Sequence, residues 1–244
     1  MCGRFTLTVS DRSLSAAFGQ ADWPPERLPR WNIAPTQEVL CLRWENSAVR
    51  PFWLRWGLVP HWAVDAAGAS RLINARGETL LEKSSFKNLV PSVSHRCLML
   101  ADGFYEWHDT GSGKVPQYFS LPGGQPFAFA GLCDRWSNPA TGQMLETVTL
   151  VNHAAPPWMA WCHHRAPVVL DAPKRLRWLD PTEKAAENLD DFLAPWPPAG
   201  SGGFQATAVA KTVNSVRNDG PDCLLPTGTL LQGPAGPRQG LLFD

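Results

Sequence analysis

The chain has 244 residues, and its 22 Lys and Arg residues balance 22 Asp and Glu residues, so the formal net charge is zero. A content of 44% hydrophobic and 18% charged residues is that of a globular protein and excludes an intrinsically disordered one. The zero balance excludes a generally basic, histone-like DNA binder, although a local basic groove remains possible. No apolar run reaches the roughly 18 residues of a membrane helix, and Arg4 interrupts the region where a signal peptide is apolar. We therefore expect a cytoplasmic protein with no membrane partner.

The predicted elements are short and rich in strands, as the 23 prolines suggest. The first is a strand at 5–9, followed by a helix at 11–19 with Ser10 or Asp11 as its N-cap and Gly19 as its stop. A loop at 20–36, a hairpin of strands 38–44 and 48–56, an irregular segment at 57–76 and a short helix within 76–90 come next. The remaining predictions are strands at 97–101, 103–107, 116–121, 126–132, 145–152, 166–170 and 205–209, a helical turn at 155–161, and helices at 173–179 and 182–193.

Two segments lack a periodic pattern. Residues 195–203 (PWPPAGSGG) have the composition of a flexible connection, which we interpret as a surface loop within one domain. The tail at 227–244 contains several Gly and Pro residues and is predicted to be poorly ordered.

The six cysteines are spaced too widely for common metal or redox motifs. They occupy positions 2, 41, 97, 133, 162 and 223, and no pair has C-x-x-C spacing. This spacing indicates neither a zinc ribbon nor a thioredoxin-like site, so we expect no metal and no cofactor. Apolar neighbours predict that Cys41, Cys97 and Cys133 are buried thiols, and Cys162 is interpreted as structural.

Cys2 differs from the other cysteines because of its position. Removal of the initiator Met1, expected before a residue as small as Cys, would place a thiol and a free α-amine on one residue. The amine has a reference pKa of about 7.7–8.0, and the thiolate is a strong nucleophile. Such a 1,2-aminothiol condenses with an aldehyde to an imine and then closes a five-membered thiazolidine. The alternative is that position 2 belongs to a frayed terminus without a role.

Seven blocks of sequence occur in a characteristic order. They are CGRF at 2–5, WNIAPTQ at 31–37, RWGLVPHW at 55–62, INARGET at 73–79, ADGFYEW at 101–107, HHRAP at 163–167 and NSVRNDG at 214–220. In these blocks the chain resembles the SOS response-associated peptidase family (the SRAP domain), whose members shield abasic sites in single-stranded DNA. The resemblance extends from about residue 2 to residue 226.

The resemblance implies four catalytic residues. Cys2 matches the nucleophile that forms a thiazolidine with the ring-opened abasic sugar, and Asn74 matches the residue that holds the terminal amine and the sugar. Glu106 matches the acid/base carboxylate. His163 matches the residue that moves a proton on the opening sugar, because the family histidine lies two residues before the Arg of HHRAP. Histidine titrates near neutral pH, and a glutamate with a raised pKa could protonate the leaving water.

The resemblance also implies a DNA-binding surface. The matching positions are Arg4 and Arg76 for phosphates, Arg165 in the histidine motif, and Asn32, Pro35 and Trp62 along the groove. Stacking of bases on aromatic rings tolerates any sequence, and arginine contacts to phosphate give salt-dependent affinity. The implied partner is single-stranded DNA that contains an abasic site, bound by a monomer. Three departures from the family pattern, Ala63, Asn152 and Ala166, affect predicted groove and sugar contacts.

The implied fold is a single α+β domain over residues 2–226, in which antiparallel strands form a curled, barrel-like sheet with short helices around it. The implied function is a covalent DNA–protein crosslink through Cys2 that shields the abasic site during the DNA damage response, with lyase-type chemistry and association with the nucleoid.

Two alternative functions remain. Cys2 could be the nucleophile of a cysteine peptidase or hydrolase, which at its simplest removes Met1. The Trp and Arg groove could also bind single-stranded DNA without any reaction.

Overall fold

The computed structural model describes residues 2–25, 27–68, 71–196 and 203–228. Most of the predicted tail, residues 229–244, and residues 197–202 of the predicted surface loop lie outside the described residues. In the described part, no helix is both long enough and apolar enough to cross a membrane.

Short strands dominate the described chain, and the helices are few and brief. The strands are β1 Arg4–Leu7, β2 Arg30–Ile33, β3 Glu38–Glu45, β4 Ala48–Trp56, β5 Asn74–Arg76, β6 Arg96–Ala101, β7 Gly103–Asp109, β8 Lys114–Ser120, β9 Phe127–Ser137, β10 Met144–Ala154, β11 Arg165–Pro167, β12 Val169–Leu170 and β13 Gln205–Ala208. The α-helices are α1 Asp11–Phe18, α2 Pro157–Ala160, α3 Ala172–Trp178 and α4 Leu189–Leu193.

Five strands close into a barrel, which confirms the predicted α+β class and its barrel-like sheet. The order β10-β4-β3-β6-β9 returns to β10, because β9 also pairs with β10. All neighbours in this ring are antiparallel except β4 and β10, which are parallel. The strand β5 runs parallel to β10, and β11 pairs with the end of β10. Asn152 of β10 is therefore flanked by Arg76 of β5 on one side and by Pro167 of β11 on the other.

A second, antiparallel sheet of order β13-β8-β7-β1-β2 packs against the barrel. Phe5 of β1 and Phe104 of β7 both contact Phe129 of the barrel strand β9, with ring centroids 5.8 and 6.0 Å apart. Because side chains alternate along a strand, Tyr105 points to the opposite face, where its ring contacts Tyr118. Glu106 alternates with Tyr105 and therefore shares the barrel-facing side with Phe104.

The junction between β6 and β7 is fixed by Asp102 and Gly103. The buried Asp102 carboxylate accepts hydrogen bonds from the backbone N–H groups of Thr8 (2.5 Å) and Val9 (2.9 Å) and from the Thr8 hydroxyl (2.7 Å). A Cβ at Gly103 would overlap the Tyr118 hydroxyl group. Only glycine allows the Tyr118 ring to lie this close to the backbone of β7.

Replacing Gly103 with alanine is expected to lower the free energy of unfolding by about 1–3 kcal/mol, because overpacking forces neighbouring groups apart. Urea unfolding midpoints of the wild type and the variant measure the effect. Gly68→Ala is the matched control, since a Cβ there meets nothing within 4 Å, and it should change the free energy by no more than about 0.5 kcal/mol. Equal midpoints for the two variants would contradict this account of Gly103.

Local sequence signals predicted several elements correctly. The helix α1 spans 11–18, its N-cap is Ser10, whose side chain accepts from the Ser13 N–H, and it ends at Gly19. The hairpin of β3 and β4 pairs Glu38 with Arg55 and Glu45 with Ala48. The thiols of Cys41, Cys97 and Cys133 are buried as predicted.

Four predicted segments were wrong in extent or type. The predicted loop at 20–36 contains β2, and the predicted irregular segment at 57–76 contains β5. Both are short strands that exist because a distant strand supplies their hydrogen-bond partners, β1 for β2 and β10 for β5. The helix predicted within 76–90 is only a 3-10 turn at Gly77–Thr79, and the helix predicted at 182–193 is the five-residue α4.

Candidate active site

Cys2 lies where the small sheet meets the barrel. It lies two residues before the start of β1, and its backbone carbonyl accepts a hydrogen bond from Asn74 Nδ2 of β5 at 2.8 Å. The thiol is 1% exposed, and its Sγ lies 3.8 Å from the carbonyl oxygen of Arg4. The pairing of β5 with β10 thus carries the Asn74 amide to the start of the chain and holds Cys2 in place.

Glu106 lies on β7, the neighbour of β1, and is almost fully buried. Burial raises the pKa of the Glu106 carboxyl group above its ordinary value. Burial, and next the negative charge of Glu106, raise the pKa of the Cys2 thiol well above its ordinary value. Burial thus disfavours the charged forms of both groups, and a carboxyl group with a raised pKa donates its proton at a higher pH than an ordinary glutamate does.

His163 follows α2, and the backbone N–H and carbonyl groups of Arg165 orient its ring. Its Nδ1 lies 2.9 Å from the Arg165 backbone nitrogen and 3.1 Å from the Arg165 carbonyl oxygen, so the backbone of Arg165 holds the ring in place. Burial lowers the pKa of His163, so the neutral ring is favoured. Burial and the Glu106 charge raise the pKa of the adjacent Cys162 thiol to about 12, which shows that this segment lies within electrostatic reach of Glu106.

Arg165 is held inside the protein by an ion pair. Its two terminal nitrogens donate to the two Glu78 carboxylate oxygens at 2.6 and 2.8 Å, and one of them also donates to Asn152 Oδ1 at 2.6 Å. The hydrogen bonds from Arg165 lower the pKa of Glu78 to about 2. The pair joins β11, and with it His163, to the segment that follows Asn74. A direct contact of Arg165 with DNA stays a prediction.

Two further predicted DNA contacts bind the chain's own C-terminal segment. Asn32 is 0% exposed, and its Nδ2 donates to the carbonyls of Val213, Ser215 and Asn218. Arg4 donates to the Val213 carbonyl at 3.1 Å, and its guanidinium group lies 5.9 Å from the centre of the Trp107 ring. These residues fasten the segment after β13 to the small sheet, and their role toward DNA stays a prediction.

The remaining predicted contacts are more accessible. Arg76 is exposed, and it lies two residues after Asn74 on β5, on the same face of the strand. Pro35 is half-buried, in the turn after β2.

Trp62 is 55% exposed on a loop that is pinned on both sides. The His61 N–H donates to Asp134 at 2.7 Å, and the Trp136 indole donates to the Ala63 carbonyl at 2.7 Å. The Trp62 ring is therefore an exposed aromatic surface on a fixed loop.

Sequence reasoning assigned no role to Glu78. Glu78 lies in the 3-10 turn after β5, so no strand period groups it with Asn74 and Arg76, and its contact with Arg165 is visible only in the tertiary structure. Asn152 was noted only as a departure, yet its side chain is the second acceptor for Arg165. The described residues contain no group of three or more His, Cys, Asp or Glu side chains that could hold a metal ion.

Residues 1–216 match the family model described as SOS response associated peptidase (SRAP). The chain belongs to the SRAP family. Abasic site processing protein YoqW of Bacillus subtilis is 37% identical over 227 residues, which cover 92% of this chain and 99% of that protein. Abasic site processing protein HMCES of Gallus gallus is 34% identical over 195 residues, which cover 71% of this chain and 56% of that protein.

Solved structures agree with the SRAP fold. A Bacteroides thetaiotaomicron protein superposes with a TM-score of 0.79 at 22% identity, covering 91% of this chain and 98% of that one, and this similarity concerns the fold alone. A Bordetella bronchiseptica protein superposes with a TM-score of 0.70 at 25% identity, covering 86% of this chain and 100% of that one. The family resemblance inferred from the seven sequence blocks is thus confirmed.

Proposed function

We propose that this SRAP protein captures abasic sites in single-stranded DNA through a thiazolidine formed by Cys2 after removal of Met1. The observation that carries the proposal is the placement of Cys2, held by Asn74 beside the buried Glu106 carboxyl group. The relatives named abasic site processing proteins support the choice of substrate. A 1,2-aminothiol can form only at the first residue of the processed chain, which explains a nucleophilic cysteine at position 2. A protein that only binds DNA would not need a cysteine there.

His163 has the proton chemistry for the first step. The sugar of an abasic site is mostly a closed hemiacetal, and its aldehyde exists only in the ring-opened form. Opening the ring requires a proton to leave the anomeric hydroxyl and another to reach the ring oxygen. A neutral imidazole carries one proton that it can donate and one nitrogen that can accept a proton, and the lowered pKa favours this neutral form of His163.

Glu106 has the proton chemistry for condensation. The Cys2 amine adds to the aldehyde carbon, and the resulting hydroxyl leaves as water with a proton from Glu106. The nitrogen then returns a proton to the Glu106 carboxylate, which gives a neutral imine. The thiol then adds to the imine carbon and its proton passes to the nitrogen, which closes the thiazolidine with the net loss of one water. The raised thiol pKa fits this order, in which the amine attacks first and the thiol reacts with an activated carbon.

Asn74 supplies orientation. Its Nδ2 is engaged with the Cys2 carbonyl, and its Oδ1 is buried without a hydrogen-bond partner among the described residues. An unpartnered buried acceptor is costly, so a ligand that donates to it is favoured. The amine of processed Cys2 or a sugar hydroxyl would satisfy Asn74 Oδ1 in the complex.

Replacing Trp62 with alanine is expected to weaken binding to single-stranded DNA by about 5- to 150-fold, the equivalent of one base stacked on the ring. Fluorescence anisotropy with a labelled oligonucleotide lacking an abasic site measures this affinity apart from the chemistry. Val64→Ala is the matched control, because Val64 is exposed on the same loop but has no ring. Equal losses in both variants would show that the ring does not stack on a base.

Intact-mass spectrometry tests the proposed function directly. The purified protein is measured before and after incubation with a single-stranded oligonucleotide that carries one abasic site. We expect a protein lacking Met1, and then a product with the mass of protein plus DNA minus one water. If the protein lacking Met1 binds the oligonucleotide but never forms this product, its function is DNA binding without a covalent reaction.

The peptidase alternative fits the site less well. A cysteine peptidase needs a thiol whose pKa is lowered by a neighbouring base or cation, whereas here burial and the Glu106 charge raise the pKa of Cys2. Cleavage of a peptide library by the processed protein, lost on Cys2→Ala, would restore that alternative.

A further inference from the structure

Gln117 on β8 is a fully buried amide that sequence reasoning left unassigned. Its side chain is 0% exposed, and neither Oε1 nor Nε2 has a hydrogen-bond partner among the described residues. Buried polar side chains in folded proteins are nearly always hydrogen-bonded, because an unpaired one keeps the full cost of losing water. A fully buried primary amide with both ends unpaired therefore points to a partner that is engaged during function.

The register of the small sheet identifies a partner within reach. Gln117 is directly opposite Glu106 in the antiparallel pairing of β7 and β8. The preceding pair on the same face, Phe104 and Phe119, stacks with ring centroids 5.1 Å apart. Side chains directly opposite each other have Cβ atoms about 4.5–5.5 Å apart, and both Gln and Glu are long enough to meet across that gap. The Gln117 amide thus shares a face with the Glu106 carboxyl group.

We propose that Gln117 is a positioning residue for Glu106, donating from Nε2 to the ionised carboxylate and accepting at Oε1 from the protonated acid. The inference rests on the proposed function, in which Glu106 gives up a proton when water leaves and takes one back from the nitrogen as the imine forms. An amide has both a donor and an acceptor, so it can serve either form of the carboxyl group without changing its own charge. It would keep the carboxyl group aimed at the reacting carbon through the whole cycle.

The other groups around Glu106 cannot do this. The charged and titratable groups that interact with it electrostatically are first the terminal amine, and then Lys114 and the thiols of Cys2 and Cys162, with His163 following Cys162. The terminal amine and the Cys2 thiol are consumed in the reaction, and the charge of Lys114 favours only the ionised carboxylate. Gln117 is the neutral side chain placed directly across the strand pair from Glu106.

Gln117→Met tests the inference, because methionine has a similar shape but lacks the amide. The Glu106 pKa is read by carbon NMR titration of the carboxyl group, and the pH profile of crosslinking is followed with an abasic oligonucleotide. A hydrogen bond to an ionised group is stronger than one to a neutral group, so losing it should raise the Glu106 pKa by about one unit. The limb of the crosslinking pH profile that depends on Glu106, identified by its absence in Glu106→Gln, should move to higher pH by the same amount.

Two further variants separate positioning from structure. Phe119→Leu alters packing on the same strand and face, so it should lower the thermal midpoint without moving the Glu106 limb. Gln117→Met should keep the wild-type midpoint or exceed it, since an unpaired buried amide is replaced by an apolar side chain. Gln117→Glu keeps the shape and places a second carboxyl group opposite Glu106, which should also raise the Glu106 pKa, by mutual repulsion.

The outcomes distinguish this inference from the proposed function. A wild-type protein that forms no crosslink overturns the proposed function, and the NMR titration then still reports whether Gln117 acts on Glu106. A wild-type protein that crosslinks, together with a Gln117→Met variant whose Glu106 pKa and pH limb are unchanged, overturns only the inference.

Discussion

Replacing Cys2 with alanine is expected to abolish the covalent product completely, while the affinity for single-stranded DNA stays within about twofold of the wild type. The reason is that both atoms that bond to the sugar, the amine and the thiol of one residue, are needed to close the thiazolidine. The alanine variant keeps the amine and can form only a reversible imine. Denaturing gel electrophoresis after incubation with an abasic oligonucleotide measures the product, and anisotropy measures binding.

Two further variants test whether loss of the covalent product is specific to the Cys2 thiol. Cys162→Ala removes the other thiol that interacts electrostatically with Glu106 and should crosslink normally, because Cys162 carries no terminal amine. Cys2→Ser should lose the stable product, since its hydroxyl closes the corresponding oxazolidine poorly, although it could still support hydrolysis. Stable crosslinking by either Cys2 variant would place the nucleophile elsewhere in the chain.

Replacing Glu106 with glutamine should slow both the formation and the reversal of the crosslink by about 10²- to 10⁴-fold, the usual contribution of a positioned acid or base. The same proton transfers run in both directions, so a residue that speeds condensation must also speed its reversal. Formation is measured as above. Reversal is measured by chasing a purified crosslink with an excess of a competing aminothiol. A crosslink that resolves at the wild-type rate in Glu106→Gln would remove Glu106 from the reverse step.

The same substitution has a pH-dependent effect on stability. Because the pKa of Glu106 is higher in the folded protein than in the unfolded chain, the folded state retains its proton more strongly. Stability from this group is therefore fully present below the ordinary glutamate pKa of about 4.3, and it is lost as the pH rises through the higher folded value. Glu106→Gln lacks this loss, so its free energy of unfolding relative to the wild type should increase between pH 4 and pH 8.

Urea unfolding at the two pH values measures this difference. Glu38→Gln, which removes an exposed carboxylate from β3, is the control and should show no comparable trend. A difference between Glu106→Gln and the wild type that stays constant from pH 4 to pH 8 would mean that burial of the carboxyl group does not cost stability. The predicted trend would show that the residue is retained for chemistry at the expense of stability.

The sequence by itself determined the features that depend on near neighbours or on strict order. The helix α1 and the hairpin of β3 and β4 follow from caps and alternation within a few residues, so they could be predicted from the chain alone. Seven blocks in a fixed order were enough to indicate the family. Position 2 also suggested the aminothiol chemistry proposed for Cys2, because removal of Met1 would create an aminothiol there and at no internal cysteine.

Only the tertiary structure decided what each polar side chain of those blocks contacts. Arg165 and Asn32 were expected along a DNA groove, but their hydrogen-bond partners, Glu78 and the carbonyls near residue 213, are 87 and 181 residues away in the chain. The strand β5, which carries Asn74, was missed because β10 supplies its partners.

The raised pKa of Glu106 likewise comes from its burial in the folded protein, which no local sequence pattern records. Residue type and spacing therefore indicate which side chains are available for chemistry. The long-range pairing of strands determines how deeply these side chains are buried, and burial shifts their pKa values.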